Sequence, residues 1–210
     1  MKQGWFITFE GPDGSGKTTQ IKRLKLFLDK QGYDTLLTRE PGGTIIGEKI
    51  RKIILDPNHI EMNSVTETLL YAASRAQHVY EVIRPGLNED KIVICDRFMD
   101  SSIAYQGYGR NLGDNVRIIN EMAVDGLVPD LTFLLVVDPD EGKRRIINGE
   151  LDRLEMEKIE YHRKVYKGYM ELADKYSDRM VLIDGSKGID EINEEITNIV
   201  SKLIFKHIKE

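Results

Sequence analysis

A single cysteine, Cys95, stands in 210 residues, so no internal disulfide can form, and a reducing cytosol suits the chain. Its flanks, Ile92-Val93-Ile94 and Asp96, read as a buried strand end and not as the setting of a nucleophile. Histidine is scarce as well, and His59, His78, His162 and His207 are scattered without metal-ligand spacing. No apolar run approaches the ~20 residues needed to span a bilayer. The N-terminus moves straight into a strand pattern, without the charged and apolar regions of a signal peptide. A basic excess is also missing: the net charge is −5, which argues against a general nucleic-acid binder while leaving room for a local phosphate site. Repeats, low-complexity tracts and linkers are not found. The expectation is one cytoplasmic domain spanning 1–210, large enough to bury a substantial core.

What the chain does have comes early. Gly11-Pro12-Asp13-Gly14-Ser15-Gly16-Lys17-Thr18 matches the phosphate-cradling pattern G-x-x-x-x-G-K-[ST]. It follows an apolar run, Trp5 to Phe9, and precedes Thr19 to Lys30, where Ile21, Leu24, Phe27 and Leu28 fall at helical spacing. An ordinary glycine-rich turn opening a helix is the bland alternative, but glycines, lysine, threonine and flanking elements all agree on a nucleotide site. Glycines let the backbone wrap phosphates, and the helix N-terminus adds a favourable dipole. Lys17 is expected to reach the β- and γ-phosphates and, in the empty protein, to face solvent; Thr18 is expected to hold Mg²⁺ through its hydroxyl.

Four further apolar segments read as buried parallel strands: Thr35–Thr38, Ile92–Cys95, Leu131–Val137 and Met180–Ile183. Helical patterns separate them: Glu67–Ile83, ended by Pro85-Gly86; Asn115–Val124; Glu155–Lys175; and Asp190–Ile208, with Asp190 as N-cap. Strands alternating with helices predict an α/β, doubly wound, P-loop NTPase-type domain with a five-stranded parallel sheet. In such folds ligands bind beyond the carboxyl ends of the strands. The remaining motifs fall there: Thr38-Arg39-Glu40-Pro41-Gly42-Gly43, Asp96-Arg97-Phe98 and Ala104-Tyr105-Gln106-Gly107, with Tyr71 and Arg75 on the intervening helix. Arginines that fork phosphate, an aromatic face and an amide that reads a base edge would suit a nucleoside monophosphate.

Taken in that order, these motifs and a Gly149–Glu155 segment resemble the thymidylate kinase family over nearly the whole chain. The resemblance implies transfer of the ATP γ-phosphate to dTMP with Mg²⁺, in the cytoplasm, by a homodimer that binds neither nucleic acid nor membrane. By the same resemblance, Asp13 contacts the deoxyribose 3′-hydroxyl, and Arg97 holds the acceptor phosphate with help from Arg39 and Arg51. Tyr71 lies against thymine, Arg75 donates to a base carbonyl, and Gln106 reads the base edge with Ser102 nearby. Tyr105 presses on the sugar where a 2′-hydroxyl would sit, and Asp96 organises Mg²⁺. For Arg51, Tyr71 and the Asp96-Arg97 pair, plain structural roles stand as alternatives: a solvated helix, a core aromatic and a strand-end ion pair.

Phosphoryl transfer asks the protein mainly for positioning and positive charge. Some relatives carry an arginine inside the phosphate loop where this chain has Gly14; those with glycine supply it from a lid. The lid is expected over about 143–155, with Arg153 as catalytic arginine and Arg145 next, either of which can instead pack on adenine. Other enzymes of the fold, a P-loop switch ATPase and a nucleotide sensor are the competing readings. No Asn-Lys-x-Asp or Leu-Ser-Gly-Gly-Gln motif supports the switch, and intact Lys17, Thr18, Asp96 and Arg97 count against the sensor.

Overall fold

Strands that are apolar on both faces demand cover on both sides. The computed structural model, which describes residues 4–146 and 151–206, builds such a sheet. Its strands are β1 (Trp5–Glu10), β2 (Thr35–Arg39), β3 (Ile92–Asp96), β4 (Leu131–Val136) and β5 (Met180–Asp184), all parallel, in the order β2-β3-β1-β4-β5. The helices are α1 (Lys17–Lys30), α2 (Ile45–Leu55), α3 (Ser64–His78), α4 (Arg84–Asn88), α5 (Met99–Ser102), α6 (Asn115–Val124), α7 (Pro139–Ile146), α8 (Ile159–Lys175) and α9 (Ile189–Lys206). Two π-helical segments, Val79–Ile83 and Ile103–Gly109, join α3 to α4 and extend α5.

The period-2 pleat divides the core. Ile7, Phe9, Ile94 and Phe133 pack with Ile21 and Leu24 of α1 and Ile196 and Val200 of α9. Phe6, Val93, Cys95 and Leu134 face the other way, among Phe98, Ile103, Val165 and Tyr169. Cys95 is fully buried, and burial pushes its thiol well above the ordinary range, which leaves it inert.

Helix boundaries differ from the sequence expectation, and the long helix begins at Ser64, ahead of Glu67. Pro85-Gly86 does not end the long helix: the chain passes through the π segment into α4 with both residues inside it. A π turn widens the backbone just ahead of Pro85, whose ring would otherwise crowd the preceding turn. Gly86 lies so close to the sheet that a Cβ would come 2.7 Å from Leu36. The helix expected from Glu155 begins at Ile159, because Asp152 accepts the Leu154 and Glu155 amides at 2.8 and 2.9 Å and holds a turn there. Asp190 sits inside the first turn of α9 and bonds Arg23 instead of capping. Where caps do form, they fix the approach to the site: the Thr44 hydroxyl accepts the Gly47 amide at 2.9 Å at the start of α2, and Asn63 accepts Val65 at 2.8 Å before α3.

Candidate active site

β1 delivers the glycine-rich loop to the carboxyl edge of the sheet, and α1 opens at Lys17. Two of its glycines are required by geometry. Gly11 has φ +131° and a Cβ there would stand 2.0 Å from the Leu135 carbonyl; Gly14, at φ +76°, lies against α7, where a Cβ would meet the Gly142 carbonyl at 2.5 Å. Lys17 does not face solvent, contrary to expectation. It is 6% exposed and its ammonium donates to the carbonyls of Gly11 at 3.0 Å and Pro12 at 2.8 Å. Burial, with Arg97 nearby, lowers it to about 8. The loop's own carbonyls thus hold the amine in the groove. The Thr18 hydroxyl donates to Asp96 at 3.4 Å.

β3 ends on Asp96, and the chain then turns through Arg97 in the left-handed region, φ +68°. That turn sends the guanidinium over the phosphate loop. It donates to the Gly11 carbonyl at 2.9 Å and Asp13 at 2.6 Å, and it lies 5.2 Å from the Tyr105 ring centre. Burial opposes the charge on Asp13, yet Arg97 and Lys17 bring its carboxyl down to about 2. Burial likewise works against Arg97, but Asp13 raises it well above its ordinary value. The turn is held from below by Glu10, which no sequence pattern singled out. Its carboxylate accepts the Phe98 amide at 2.7 Å and the Ser101 hydroxyl at 2.5 Å, beneath the Tyr169 hydroxyl. Burial and the adjacent Asp100 push Glu10 up to about 7. A charged residue closing an otherwise apolar strand was the available signal.

One cavity of about 490 Å³ runs from Gly14, Lys17 and Thr18 past Asp96 and Arg97 to a second pocket. The expected residues Arg39, Arg51, Tyr71, Arg75, Ser102, Tyr105 and Gln106 all line it. Arg39 and Arg51 both donate to the Pro41 carbonyl, at 2.9 and 3.0 Å, which sets two cations side by side on one wall. Arg75 is 1% exposed and bonded to Glu40 at 2.7 Å, Ser102 at 3.0 Å, the Phe98 carbonyl at 3.1 Å and Asn120. Those bonds use four of the five N–H groups of a guanidinium and leave one on Nη2 of a residue that lines the cavity. Glu40, quoted in the sequence motif without a role, is the anchor of Arg75 and also accepts from or shares with His78 at 2.9 Å. Tyr71 lines the cavity while packing on the core, and burial raises its phenol. Tyr105 donates to Asp13 at 3.3 Å, and both it and Gln106 ride on the second π segment. Single π turns inside helices are frequent at functional sites.

The lid expectation over 143–155 is only partly open to view, since 147–150, including Asn148, lie outside the described residues. Arg145 lines the cavity and donates to the Gly14 carbonyl at 3.3 Å and the Gly185 carbonyl at 3.0 Å, beside the loop position where glycine brings no side-chain charge. Arg153 is elsewhere. It is 8% exposed, donates to the Ile54 carbonyl at 2.8 Å and pairs at 2.6 Å with Glu67, which is wholly buried. A buried carboxylate holds this arginine in the structure, and Arg153 does not line the cavity as Arg145 does.

No cluster of three His, Cys, Asp or Glu is assembled for a metal among the described residues. Thr18 and Asp96 supply two adjacent hard oxygens, a set that suits Mg²⁺, which keeps waters and takes phosphate oxygens in place of a full protein cage.

Comparison with known proteins gives the family. The family model described as thymidylate kinase matches residues 9–196. A thymidylate kinase from Geobacillus sp. (strain WCH70) is 52% identical over 194 residues, covering 90% of this chain and 92% of the relative. One from Thermoanaerobacter sp. (strain X514) is 49% identical over 203 residues, covering 96% and 100%. The crystal structure of thymidylate kinase from Ehrlichia chaffeensis superposes with a TM-score of 0.77 at 34% identity, covering 94% of this chain and 98% of that one. With a phosphate loop, an arginine-walled pocket and relatives of this closeness over nearly its full length, the chain belongs to the thymidylate kinase family.

Proposed function

We propose that the chain transfers the γ-phosphoryl group of ATP to dTMP, yielding dTDP and ADP. The observation that carries the reading is the single cavity joining the phosphate loop to a pocket walled by Tyr71, Arg75 and Gln106. ATP lays its phosphates on Gly11–Thr18, and Lys17 exchanges the loop carbonyls for the β- and γ-oxygens. Thr18 and Asp96 would hold Mg²⁺, which would neutralise phosphate charge. Arg97, with Arg39 and Arg51, grips the dTMP phosphate. One of its oxygens, already nucleophilic at neutral pH, attacks the γ-phosphorus as the bond to the bridging oxygen breaks. No general base is needed. Asp13 pre-positions Arg97 and meets the deoxyribose 3′-hydroxyl, while Tyr105 fills the space of a 2′-hydroxyl. Tyr71 lies on the base, Arg75 donates its remaining N–H to a base carbonyl, and Gln106 meets the base edge with Ser102 behind. Arg145, beside uncharged Gly14, takes the lid role: positive charge near the transferred group, or a plane against adenine.

The working unit is one domain in the cytoplasm; no described helix is long and apolar enough to cross a membrane. A homodimer is supported by an exposed apolar stripe on two neighbouring elements, Val65 and Leu69 of α3 with Ile118 and Met122 of α6. Coupled ADP release across nucleoside monophosphates tests the activity. dTMP is expected to exceed dCMP in kcat/KM by about ten-fold or more, since each buried polar group left unpaired costs roughly 1–3 kcal/mol. Equal values would defeat the thymidylate assignment, and ADP release without any acceptor would point to a switch ATPase.

A further inference from the structure

Gln106 is nearly fully buried, lines the cavity, and is satisfied on one side only. Its amide nitrogen donates to Glu67 Oε1 at 2.9 Å, whereas its amide oxygen is buried without a partner. Glu67 has no solvent exposure and no spare charge: Arg110 donates to both of its oxygens, at 3.3 and 3.0 Å, and Arg153 to Oε2 at 2.6 Å. Burial disfavours the carboxylate, yet Arg110 and Gln106 hold it below the usual range, so it is ionised near neutral pH. An ionised carboxylate accepts only. The side of Gln106 that meets it must therefore be NH₂, and the flipped amide would set its oxygen against an ionised carboxylate oxygen in a dry site.

We infer that Glu67 is a positioning residue for base selection: by fixing which end of the Gln106 amide faces the cavity, it makes that wall an acceptor. Resting on the reading that Gln106 meets the base edge, this gives the pocket a directional code. An acceptor at Gln106 and a donor at Arg75 match an imide N–H next to a carbonyl, as in a pyrimidine-2,4-dione. Cytosine presents the reverse order, a ring-nitrogen acceptor beside an amino donor. Arg75, a donor only, disfavours cytosine's amino group whatever its setting, but Gln106 alone does not select the dione in this scheme, because a free amide could turn and satisfy cytosine's ring nitrogen. The selectivity at that position resides in a residue that never touches the nucleotide.

Glu67→Gln tests it, because an amide at 67 can either accept from or donate to Gln106 and so releases the constraint. The kcat/KM ratio of dTMP to dCMP is expected to fall about ten-fold, mainly through improved KM for dCMP, with ATP KM unchanged. Should Glu67→Gln fail to fold, Glu67→Asp keeps the charge opposite Arg110 and Arg153 but withdraws the carboxylate from Gln106, and the same fall in ratio is expected. Equal loss on both nucleotides with the ratio intact, in whichever variant folds, overturns the inference and leaves Glu67 a structural residue. Gln106→Ala separates this from the underlying reading. If it collapses the ratio while Glu67 variants do not, only the positioning role is lost; if it too leaves the ratio intact, Gln106 does not read the base.

Discussion

Arg153→Ala distinguishes an arginine that acts on phosphate from one that holds the protein together. The substitution removes a 2.6 Å pair to Glu67 and a 2.8 Å bond to the Ile54 carbonyl, both out of water. Stripping a buried charge of its only partner costs about 3–5 kcal/mol. Glu67, however, keeps Arg110 and Gln106. The loss therefore lies nearer that of one charged hydrogen bond, about 2 kcal/mol. At ~2–4 °C per kcal/mol for a domain of this size, Tm should drop by about 4–8 °C. Turnover at saturating ATP and dTMP, measured well below the lowered Tm, should stay within about ten-fold of the unaltered protein, short of the ~10²–10³ lost with a preorganised transition-state donor. Arg145→Ala should do the opposite: little change in Tm, because its side chain is exposed, and a large fall in kcat or a rise in ATP KM. Unchanged Tm with a hundred-fold kcat loss for Arg153→Ala would refute the reasoning and return that arginine to the chemistry.

Lys17→Ala should abolish phosphoryl transfer, and an unaltered kcat with both substrates saturating would remove Lys17 from the phosphate site. Glu10 retains its proton in the fold between its ordinary value of 4.5 and about 7, where the unfolded chain has lost it. Stability should consequently be greatest at the acid end of that window and decline as pH rises through it, by at most ~3 kcal/mol. Glu10→Gln should flatten this decline in urea titrations run from pH 5 to 8, and parallel slopes for the two proteins would contradict it. Tyr105→Ala should relax the rejection of ribo-TMP relative to dTMP; equal losses on both would make Tyr105 a packing residue only.

The phosphate loop, the consequence of strand–helix alternation that ligands gather at the carboxyl edge, and the identity of most cavity residues could be read before any coordinates, because each rests on a local pattern with its own chemistry. Arg153 could not be placed that way. Its neighbours in sequence read as a lid, but its partner Glu67 lies far off along the chain, on a helix whose pattern gives no hint that this carboxylate points inward. Lys17 was read as exposed because loop position suggests solvent, whereas the loop's own carbonyls were the available acceptors. Pro85-Gly86 looked like a stop because the π turn that accommodates the proline has no sequence signature. Glu10 and Glu40 share a reason: a buried acid declares its role only through the donors around it.

The π segment at Ile103–Gly109 has a mechanical consequence. A π turn stores one residue more per hydrogen-bonded ring than an α turn, while an α-helix advances about 100° per residue. Deleting one residue ahead of Tyr105 would therefore let the backbone relax into ordinary helix with the chain beyond Gly109 kept close to its present phase, yet the residues between the cut and the end of the segment would each move by about one position, roughly 100°. Tyr105 and Gln106 sit inside that stretch. The segment behaves as a phase adjuster, in which chain length, more than side-chain identity, decides which residues look into the cavity. Insertions and deletions here are thus a route to altered nucleotide choice in a chain whose sheet and core stay as they are.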